Sequence, residues 1–249
     1  MKGPLVELTG KIALITGATG GIGGATARLF AERGAQVVGS GRDQQRGDAL
    51  VKEITAAGGS ARFVAADLTD VASLRRLAAA AGDVDILVNN AAVFPIAPTT
   101  EQEVDGLDQA LAANIRAPYL LTAALVPAMV AKGAGSIVNV STMAARIGMP
   151  GLSTYSATKG ALEALTRTWA AEFSPAGVRV NTVAPGPTRT DMVLGAMGEE
   201  GAGQVAGTTL LKRLAAPAEI AEVIAFLASD RAAFVTGATV AADAGRTAI

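Results

Sequence analysis

Short apolar, β-branched runs alternate along the chain with longer stretches rich in Ala and Leu. The runs are apolar at nearly every position, as expected for strands that are buried on both faces of a parallel sheet. They predict seven strands, at Ile12–Thr16, Gln36–Gly41, Arg62–Ala66, Ile86–Asn89, Ser136–Val140, Arg179–Val183 and Thr239–Ala242. The stretches between them predict helices at Ile22–Arg33, Gln44–Ala57, Val71–Ala80, Leu107–Ala131, Leu152–Phe173 and Ala218–Leu227.

Strict alternation of strands and helices with short connections predicts an α/β fold with right-handed crossovers. We therefore expect a doubly wound, Rossmann-type sheet of seven parallel strands with helices on both faces. No linker, repeat or low-complexity segment divides the sequence. Residues 1–249 are accordingly expected to form a single domain.

The alternation breaks after the sixth predicted strand, because no strand follows between Pro185 and Leu214. The stretch Gly195–Gly207 contains five glycines and predicts a long loop. Long loops in compact domains are usually functional or disordered, and this one follows a strand end, where open α/β sheets bind ligands. We interpret residues 187–214 as a lid over a substrate; the alternative is a mobile surface loop with no role.

The composition indicates a soluble globular protein without a charged macromolecular partner. Hydrophobic residues make up 50% of the chain, and the net charge of −1 gives no reason to expect binding to nucleic acid or to an anionic membrane. The apolar run Ala117–Ala131 is shorter than the roughly 20 residues of a membrane span and predicts a buried helix. Met1–Gly10 has no apolar signal core, so we expect a cytoplasmic location.

The chain contains neither cysteine nor histidine. Disulfides, thiolate or imidazole metal sites and any Ser-His-Asp or Cys-His mechanism are therefore excluded. The sequence shows no other metal-ligand cluster, so no metal is expected. Acid–base chemistry has to come from Tyr, Lys, Asp or Glu, and a proton donor near neutral pH then needs a strongly perturbed pKa.

A glycine-rich turn, Thr16–Gly23, follows the first predicted strand and opens the first predicted helix. Gly17, Gly21 and Gly23 form the pattern G-x-x-x-G-x-G. Glycines at such a turn let the backbone approach a pyrophosphate, and the helix N-terminus adds free N–H donors and a positive dipole. In this strand–turn–helix context the pattern indicates a dinucleotide-binding site.

Tyr155 and Lys159 lie four residues apart in a predicted helix, which places them on one face. A free tyrosine has a pKa near 10, and a neighbouring ammonium group is expected to lower it. The pair therefore offers the acid–base group that the absent histidines cannot supply. Considered without its context, the pair is better explained as an amphipathic surface pair; the glycine-rich turn and the Asn-Asn motif (Asn89-Asn90) favour the catalytic interpretation.

Together these features resemble the short-chain dehydrogenase/reductase family over essentially the whole chain, from Gly10 to Asp243. Thr16–Gly23 resembles the family's cofactor turn, and Tyr155 and Lys159 form its Y-x-x-x-K signature. Further matching positions are Asp67-Leu68, Asn89-Asn90-Ala91-Ala92, Asn114, Pro185-Gly186 and Thr190. The resemblance implies an oxidoreductase that transfers a hydride between a nicotinamide cofactor and a carbonyl or alcohol carbon.

The resemblance also implies which residues take part. The residues expected to hold the cofactor are Gly17, Thr19, Gly21, Ile22, Gly23, Ser40, Arg42, Asp67, Leu68, Asn90, Ala91, Tyr155, Lys159, Pro185, Gly186, Thr188 and Thr190. The expected catalytic residues are Asn114, Thr142, Tyr155 and Lys159.

Each implied catalytic residue has a distinct role in this resemblance. Tyr155 is the general acid/base, Lys159 lowers its pKa and binds the nicotinamide ribose, and Asn114 holds a water that links Lys159 to solvent. Thr142 stands thirteen positions before Tyr155, where the family usually has serine. Ser141 is the alternative, because successive strand residues point to opposite faces.

The end of the second predicted strand bears on the choice of cofactor. NAD-binding folds commonly place a carboxylate there, but this chain has Gly41 followed by Arg42. A guanidinium can grip a 2′-phosphate bidentately, so we predict NADP(H) over NAD(H), with Ser40 and Arg42 as contacts. Gly20 fills a turn position that many NADP-preferring relatives fill with Arg or Lys. A surface arginine at a helix start is the alternative for Arg42.

The side chains expected near the site are mostly apolar, which favours a hydrophobic ketone or secondary alcohol as substrate and hence a ketoreductase. They are Val93, Phe94, Met143, Ile147, Met149, Met192 and Met197. Reduction of acyl-carrier-protein substrates is one option. Against it, the positions where basic docking residues are expected hold Gly133 and Ala176, although Lys132 lies beside the first.

The family resemblance further implies a homotetramer that buries the predicted helices Leu107–Ala131 and Leu152–Phe173 and the C-terminal strand. Two other functions fit the same fold. One is a non-catalytic dinucleotide-binding regulator or scaffold, and the other is a dehydratase or epimerase. The presence of Tyr155, Lys159 and the Thr142 hydroxyl favours the oxidoreductase.

Overall fold

A computed structural model of the chain describes residues 7–249. The first six residues of the predicted domain, and of the stretch Met1–Gly10, lie outside this described part. The fold is a single Rossmann-type domain with one seven-stranded parallel sheet in the order β3-β2-β1-β4-β5-β6-β7. This confirms the predicted α/β architecture.

The seven strands are β1 (Ile12–Thr16), β2 (Gln36–Gly41), β3 (Ser60–Ala65), β4 (Ile86–Asn89), β5 (Gly135–Val140), β6 (Val178–Pro185) and β7 (Thr239–Ala242). The helices are α1 (Gly21–Glu32), α2 (Gln44–Ala56), α3 (Val71–Ala81), α4 (Val104–Leu111), α5 (Ala117–Lys132), α6 (Ser153–Phe173), α7 (Asp191–Gly207) and α8 (Pro217–Ala228). A π-helical segment, Ala112–Arg116, joins α4 to α5.

Two apolar layers hold the sheet, one on each face. Phe30 of α1 and Ile224 of α8 belong to the first layer, which α2 completes. Leu121 of α5 and Trp169 of α6 belong to the second, together with apolar residues of α3. Because both faces are covered, the strands have no polar face, and this is why they are apolar almost throughout.

The strand order reverses beside β1, which pairs with β2 on one side and with β4 on the other. The connections that leave β1 and β4 therefore run to opposite faces of the sheet, and a crevice opens between them. All strands are parallel, so the segments that follow β1, β2, β4, β5 and β6 meet at one edge. This edge is where the candidate site lies.

The predicted loop at residues 187–214 is wrong in its conformation, because most of it forms helix α7. Thr190 caps this helix by accepting a hydrogen bond from the Val193 backbone N–H, and Ala202 and Ala206 are buried. These contacts outweigh the low helix propensity of glycine. Gly198, with φ of +67°, interrupts the helix with a kink.

The long helix predicted at Leu107–Ala131 is divided into α4, the π-helical segment and α5. Counted as one, Val104–Lys132 is long and apolar enough to cross a membrane by length and composition alone, and 50% of its most apolar window is buried. Core helices of soluble proteins pass the same test. The packing of Leu121 and Met129 against the sheet fits the expected buried helix.

Candidate functional site

The glycine-rich turn between β1 and α1 forms a cradle that larger residues would fill. Gly17 and Gly21 have φ of +68° and +53°, a region that favours glycine. A Cβ on Gly23 would overlap the Gly17 carbonyl oxygen and the Asn90 side chain, so helix and turn pack without room for a side chain. The turn therefore presents its backbone and the N-terminus of α1, which fits a dinucleotide pyrophosphate.

Side-chain hydrogen bonds tie this turn to the end of β4. The Thr16 hydroxyl accepts from the backbone N–H groups of Asn90 and Ala91, both at 3.1 Å. Asn90 Nδ2 donates to the carbonyl of Thr16 at 2.9 Å. The Asn-Asn motif is thus more than a strand-end turn, because Asn90 fixes the turn against the crevice.

One cavity of about 470 Å³ extends from this turn along the carboxyl ends of the strands. It brings together most of the residues predicted from the sequence. The predicted residues that line it are Gly17, Thr19, Gly21, Ile22, Ser40, Arg42, Asp67, Leu68, Asn90, Ala91, Thr142, Tyr155, Lys159, Pro185, Gly186, Thr188 and Thr190.

Two predicted site residues, Gly23 and Asn114, lie behind the cavity wall. Gly23 is in α1 and serves the close packing of helix against turn. Asn114 is fully buried in the π-helical segment; its Oδ1 accepts from the Val93 N–H at 2.8 Å, and its Nδ2 donates to Val93 O and Thr158 Oγ1. Both polar atoms of its side chain are thus engaged with protein atoms, and Asn114 fixes the segment after β4 against α6. Its role in holding a water beside Lys159 stays a prediction.

Tyr155 and Lys159 project from α6 into the cavity. Lys159 Nζ donates to the Val140 carbonyl at 2.8 Å and lies 5.8 Å from the centre of the Tyr155 ring. The edge of the Phe94 ring meets the Tyr155 ring, with centroids 4.6 Å apart. Both side chains are therefore held by protein contacts on the wall of the cavity.

The pKa values of this pair correct one expectation from the sequence. Burial raises the pKa of Tyr155 above its ordinary value, whereas proximity to Lys159 was expected to lower it. Burial also lowers the pKa of Lys159, to about 8. Desolvation disfavours both charged forms, so the neutral phenol is the form that this environment stabilises.

The two neighbouring hydroxyl residues after β5 differ in their partners. Ser141 is buried and its Oγ donates to Glu163 Oε1 at 2.9 Å, which turns it towards α6. Thr142 is half-buried, and its Oγ1 accepts from the Ala144 N–H at 3.2 Å. The Thr142 hydroxyl still has its own proton to donate, whereas Ser141 already donates to a carboxylate.

The other end of the cavity is formed by residues that follow β2 and β3. Arg42 is exposed there, while Ser40 Oγ is enclosed without a hydrogen-bond partner. The Asp67 carboxylate accepts from the Thr69 N–H and hydroxyl, and these hydrogen bonds hold the pKa of Asp67 below its ordinary value. Asp67 thus stabilises its own turn, and Asp70 is the residue that caps α3.

Arg46 and Asp191 also line the cavity and were missed from the sequence. Arg46 Nη2 donates to the Thr19 carbonyl at 3.0 Å and lies 3.9 Å from Asp191 Oδ2. The available signal was the position of Arg46 in the first turn of the predicted helix that follows Arg42. Nothing in the spacing could place Asp191 beside it, because that contact joins segments far apart in the chain.

Apolar side chains surround the part of the cavity that holds Tyr155. Those predicted correctly are Val93, Phe94, Met143, Met149, Met192 and Met197; Ala202 and Val205 of α7 are added by the structure. Ile147 was predicted here but is not among the lining residues. Among residues 7–249, the charged side chains that line the cavity are Arg42, Arg46, Asp67, Lys159 and Asp191, and Lys159 is the one that lies beside the Tyr155 ring.

Metal chemistry finds no support in this arrangement. Within residues 7–249, no group of three or more His, Cys, Asp or Glu side chains could hold a metal ion.

Comparison with known proteins gives a consistent result over nearly the whole chain. A family model described as enoyl-(acyl carrier protein) reductase matches residues 17–247. The cis-4-hydroxycyclohexanecarboxylate dehydrogenase of Sinomonas cyclohexanicum is 41% identical over 244 residues, covering 96% of this chain and 97% of that protein.

Two solved structures extend this comparison. A short chain dehydrogenase/reductase family protein is 54% identical, with a TM-score of 0.93 and coverage of 98% of this chain and 100% of the other. A blue fluorescent protein from a metagenomic library, in complex with NADPH, is 36% identical, with a TM-score of 0.91 and coverage of 96% and 99%.

Proposed function

We propose, since this chain belongs to the short-chain dehydrogenase/reductase family, that it reduces apolar ketones with NADPH or oxidises the corresponding secondary alcohols with NADP⁺. The chain is an oxidoreductase of that family, and its relatives include dehydrogenases of alcohols. The proposal therefore concerns the cofactor, the substrate class and the residues that act. Membership in a family of enzymes sets aside the non-catalytic scaffold.

The observation that carries the proposal is the meeting of two sets of residues in one cavity. The glycine cradle and Asn90 line one part of the cavity, and Tyr155, Lys159 and Thr142 line another part of it. The cradle fits the pyrophosphate of a nicotinamide cofactor, which supplies or accepts the hydride when it is bound. The remaining requirement is a proton donor and acceptor beside the reacting oxygen.

Tyr155 is the group that meets this requirement. Its phenol is protonated at neutral pH, which is the state needed to donate a proton to the carbonyl oxygen during reduction. The Thr142 hydroxyl donates a second hydrogen bond to the same oxygen. The carbonyl carbon thus gains a hydride, its oxygen gains the Tyr155 proton, and the product is an alcohol.

Lys159 supports this proton transfer. With a pKa of about 8, its amine is mostly an ammonium at neutral pH. A positive charge stabilises the phenolate that forms when Tyr155 loses its proton, and the ammonium has donors left for a cofactor ribose. Asn114 is a positioning residue in this scheme, because it fixes the Val93 backbone and thereby the neighbouring Phe94, whose ring packs on Tyr155.

The preference for NADP(H) over NAD(H) rests on the end of β2. Gly41 offers no carboxylate to a ribose, and Arg42 is exposed at the rim of the cavity. Ser40 precedes Gly41 and lines the same cavity, and its enclosed hydroxyl has no hydrogen-bond partner within residues 7–249. An NADPH complex of a protein 36% identical to this chain is consistent with the proposal.

The substrate class rests on the apolar wall near Tyr155. Four of the six methionines in the chain line the cavity, and methionine adapts its shape to varied apolar ligands. An alicyclic ketone fits such a wall, and one relative is a cis-4-hydroxycyclohexanecarboxylate dehydrogenase, whose named substrate is an alicyclic alcohol that also carries a carboxylate. Acyl-carrier-protein substrates are less favoured, because Lys132 already pairs with Asp85 at 3.1 Å.

The proposed form of the enzyme is a homotetramer that acts in the cytoplasm on small molecules, without nucleic-acid or membrane partners. Within residues 187–214, the proposed lid is helix α7, whose Met192 and Met197 line the cavity. The near-neutral net charge of the whole chain gives no attraction to nucleic acid.

A cofactor titration combined with three variants tests the proposal. The fluorescence of NADPH and of NADH is titrated with the purified protein, and NADPH is expected to bind at least tenfold more tightly. Tyr155→Phe is expected to lower kcat for cyclohexanone-type ketones by about 10³-fold while NADPH binding stays within about threefold. The phenyl ring retains the packing against Phe94, so the loss reports on the hydroxyl.

Thr142→Ala and Ser141→Ala form a matched pair for the hydroxyl role. Thr142→Ala is expected to lower kcat/KM at least tenfold, because one hydrogen bond to the reacting oxygen is lost. Ser141→Ala is expected to spare it. If Ser141→Ala loses kcat/KM and Thr142→Ala keeps it, the hydroxyl role belongs to Ser141. Full activity of Tyr155→Phe refutes the proposed chemistry.

A further inference from the structure

We propose that Arg46 of α2 is a second guanidinium for the 2′-phosphate of NADP(H), in place of a basic side chain at position 20 of the turn. This inference rests on the proposed NADP(H) dependence. It assigns to that site a residue which lies outside the motifs of the sequence. Its support comes from the position, the free donors and the neighbouring charges of Arg46.

Arg46 belongs to α2, but its side chain lies against the turn between β1 and α1. A Cβ built on Gly20 would lie only 2.9 Å from Arg46 Nη2. The same Nη2 donates to the carbonyl of Thr19 at 3.0 Å. The guanidinium therefore occupies the space into which a side chain at position 20 would project, and it lies against the turn that begins α1.

Arg42 and Arg46 reach the same end of the cavity from the start of α2. Asp43 caps this helix by accepting from the Arg46 backbone N–H at 3.0 Å, which fixes the course of the chain between them. Arg42 directly precedes the Asp43 cap and Arg46 lies in the first turn of α2, and both side chains line the cavity. Two guanidinium groups at one rim suit a dianionic phosphate better than one.

Arg46 keeps donors available for a ligand. Its side chain is 55% exposed, and the Thr19 carbonyl takes one of its five N–H donors. Asp191 Oδ2 stands 3.9 Å from Nη2, too far for a hydrogen bond, and its side chain is 95% exposed. Exposed pairs of this kind are weak, so a phosphate that hydrogen-bonds directly displaces this one readily.

The acidic groups near the two arginines have defined positions. Asp43 is engaged as the helix cap, and Asp67 accepts from Thr69 while its charge also acts on Arg42. Asp191, the first residue of α7, is the group whose charge competes with a phosphate for Arg46. Replacing Asp191 by Asn is therefore expected to tighten NADPH binding by about twofold to fivefold and to leave NADH unchanged.

The test is a set of dissociation constants for NADPH, NADH and 2′,5′-ADP, measured by fluorescence titration and by displacement. Arg46→Gln is expected to weaken NADPH and 2′,5′-ADP by about tenfold and to change NADH by less than twofold. Arg76→Gln is the matched control, since it removes an exposed arginine on α3 that does not line the cavity. It is expected to leave all three constants unchanged.

Rescue from position 20 makes the test specific. Gly20 has an extended backbone, with φ of −179°, so a side chain is tolerated there once Arg46 no longer fills the space. Gly20→Arg in the Arg46→Gln background is expected to restore most of the lost NADPH affinity. The same Gly20→Arg change in the wild-type chain gives little gain, because Arg46 already occupies the site.

Each outcome decides between the inference and the proposed function on which it rests. If wild-type protein shows no preference for NADPH, the proposed cofactor preference fails, and this inference fails with it. If wild type prefers NADPH but Arg46→Gln binds it equally well, the inference alone is refuted. Equal losses of NADPH and NADH in Arg46→Gln also refute it, because they report a general disturbance of the turn.

Discussion

Ala244 adopts a backbone conformation that suits glycine, with φ of +55°. The turn around it is held by Asp243, whose carboxylate accepts from the N–H groups of Gly245 and Thr247. The Ala244 carbonyl accepts from the Leu210 N–H at 2.9 Å, which ties this turn to the segment after α7. These contacts hold a strained residue in place, and the strain costs the fold about 1 kcal/mol.

Ala244→Gly is expected to raise the free energy of unfolding by up to about 1 kcal/mol, because glycine adopts this φ without steric strain. Urea denaturation monitored by circular dichroism measures the change. Ala241→Gly is the matched control: Ala241 is exposed on β7, where glycine is expected to lower stability by about 0.5–1 kcal/mol. A loss of stability in both variants contradicts the strain assigned to Ala244.

The kink in α7 links an element to the shape of the cavity. Gly198 has φ of +67° and ψ of 178°, a combination that is almost confined to glycine. Met192 and Met197 precede the kink and Ala202 and Val205 follow it, and all four line the cavity. The kink therefore sets how the two halves of the lid meet over a substrate.

Gly198→Ala is expected to raise KM for an apolar ketone by about fivefold, because the strained conformation is given up and the two halves of α7 realign. NADPH affinity is expected to stay within about twofold, since Thr188 and Thr190 lie before the helix. Steady-state kinetics with a parallel NADPH titration measure both quantities.

Gly195→Ala provides the matched control within α7. Gly195 is helical, and a Cβ there would meet no atom within 4 Å. This change is expected to leave KM unaltered and to stabilise the helix by up to about 1 kcal/mol. Equal KM values for the two variants contradict a role for the kink.

The strands and most helices could be predicted from the sequence because burial on both faces makes the parallel strands apolar throughout. β3 begins at Ser60 rather than Arg62, and β6 extends to Pro185, since strand ends depend on pairing with neighbours. The helical state of α7 was not predictable, because five glycines in the segment argue against a helix that tertiary contacts nevertheless stabilise. Local propensity is a weak guide wherever packing decides.

The residues of the candidate site likewise fall into those that the sequence predicts and those that only the structure locates. Residues within short motifs, such as Tyr155 and Lys159, follow from their spacing together with the glycine-rich turn and the family resemblance. The place of Asn114 behind the wall, the partner of Ser141 and the approach of Arg46 to Gly20 depend on contacts between distant segments. The raised pKa of Tyr155 likewise follows from burial, which the Y-x-x-x-K spacing does not report.

On the scale of the whole molecule, apolar side chains remain exposed on the surfaces that a homotetramer is expected to cover. Leu111 of α4 and Tyr119 of α5 are 41% and 51% exposed on the helix pair. Ile249, beside the C-terminal strand, is 70% exposed. A monomer that exposes contiguous apolar surface is prone to association, and two separate surfaces allow a closed tetramer with two kinds of twofold interface.

Sedimentation velocity at micromolar concentration is expected to give a species of four times the 24.8 kDa chain mass. Leu111→Lys and Ile249→Lys each place a charge in one of the two predicted interfaces, so each is expected to yield dimers, and the double variant monomers. Ala56→Lys is the control, because Ala56 is exposed on α2, which belongs to neither predicted interface. A wild-type monomer contradicts the predicted assembly.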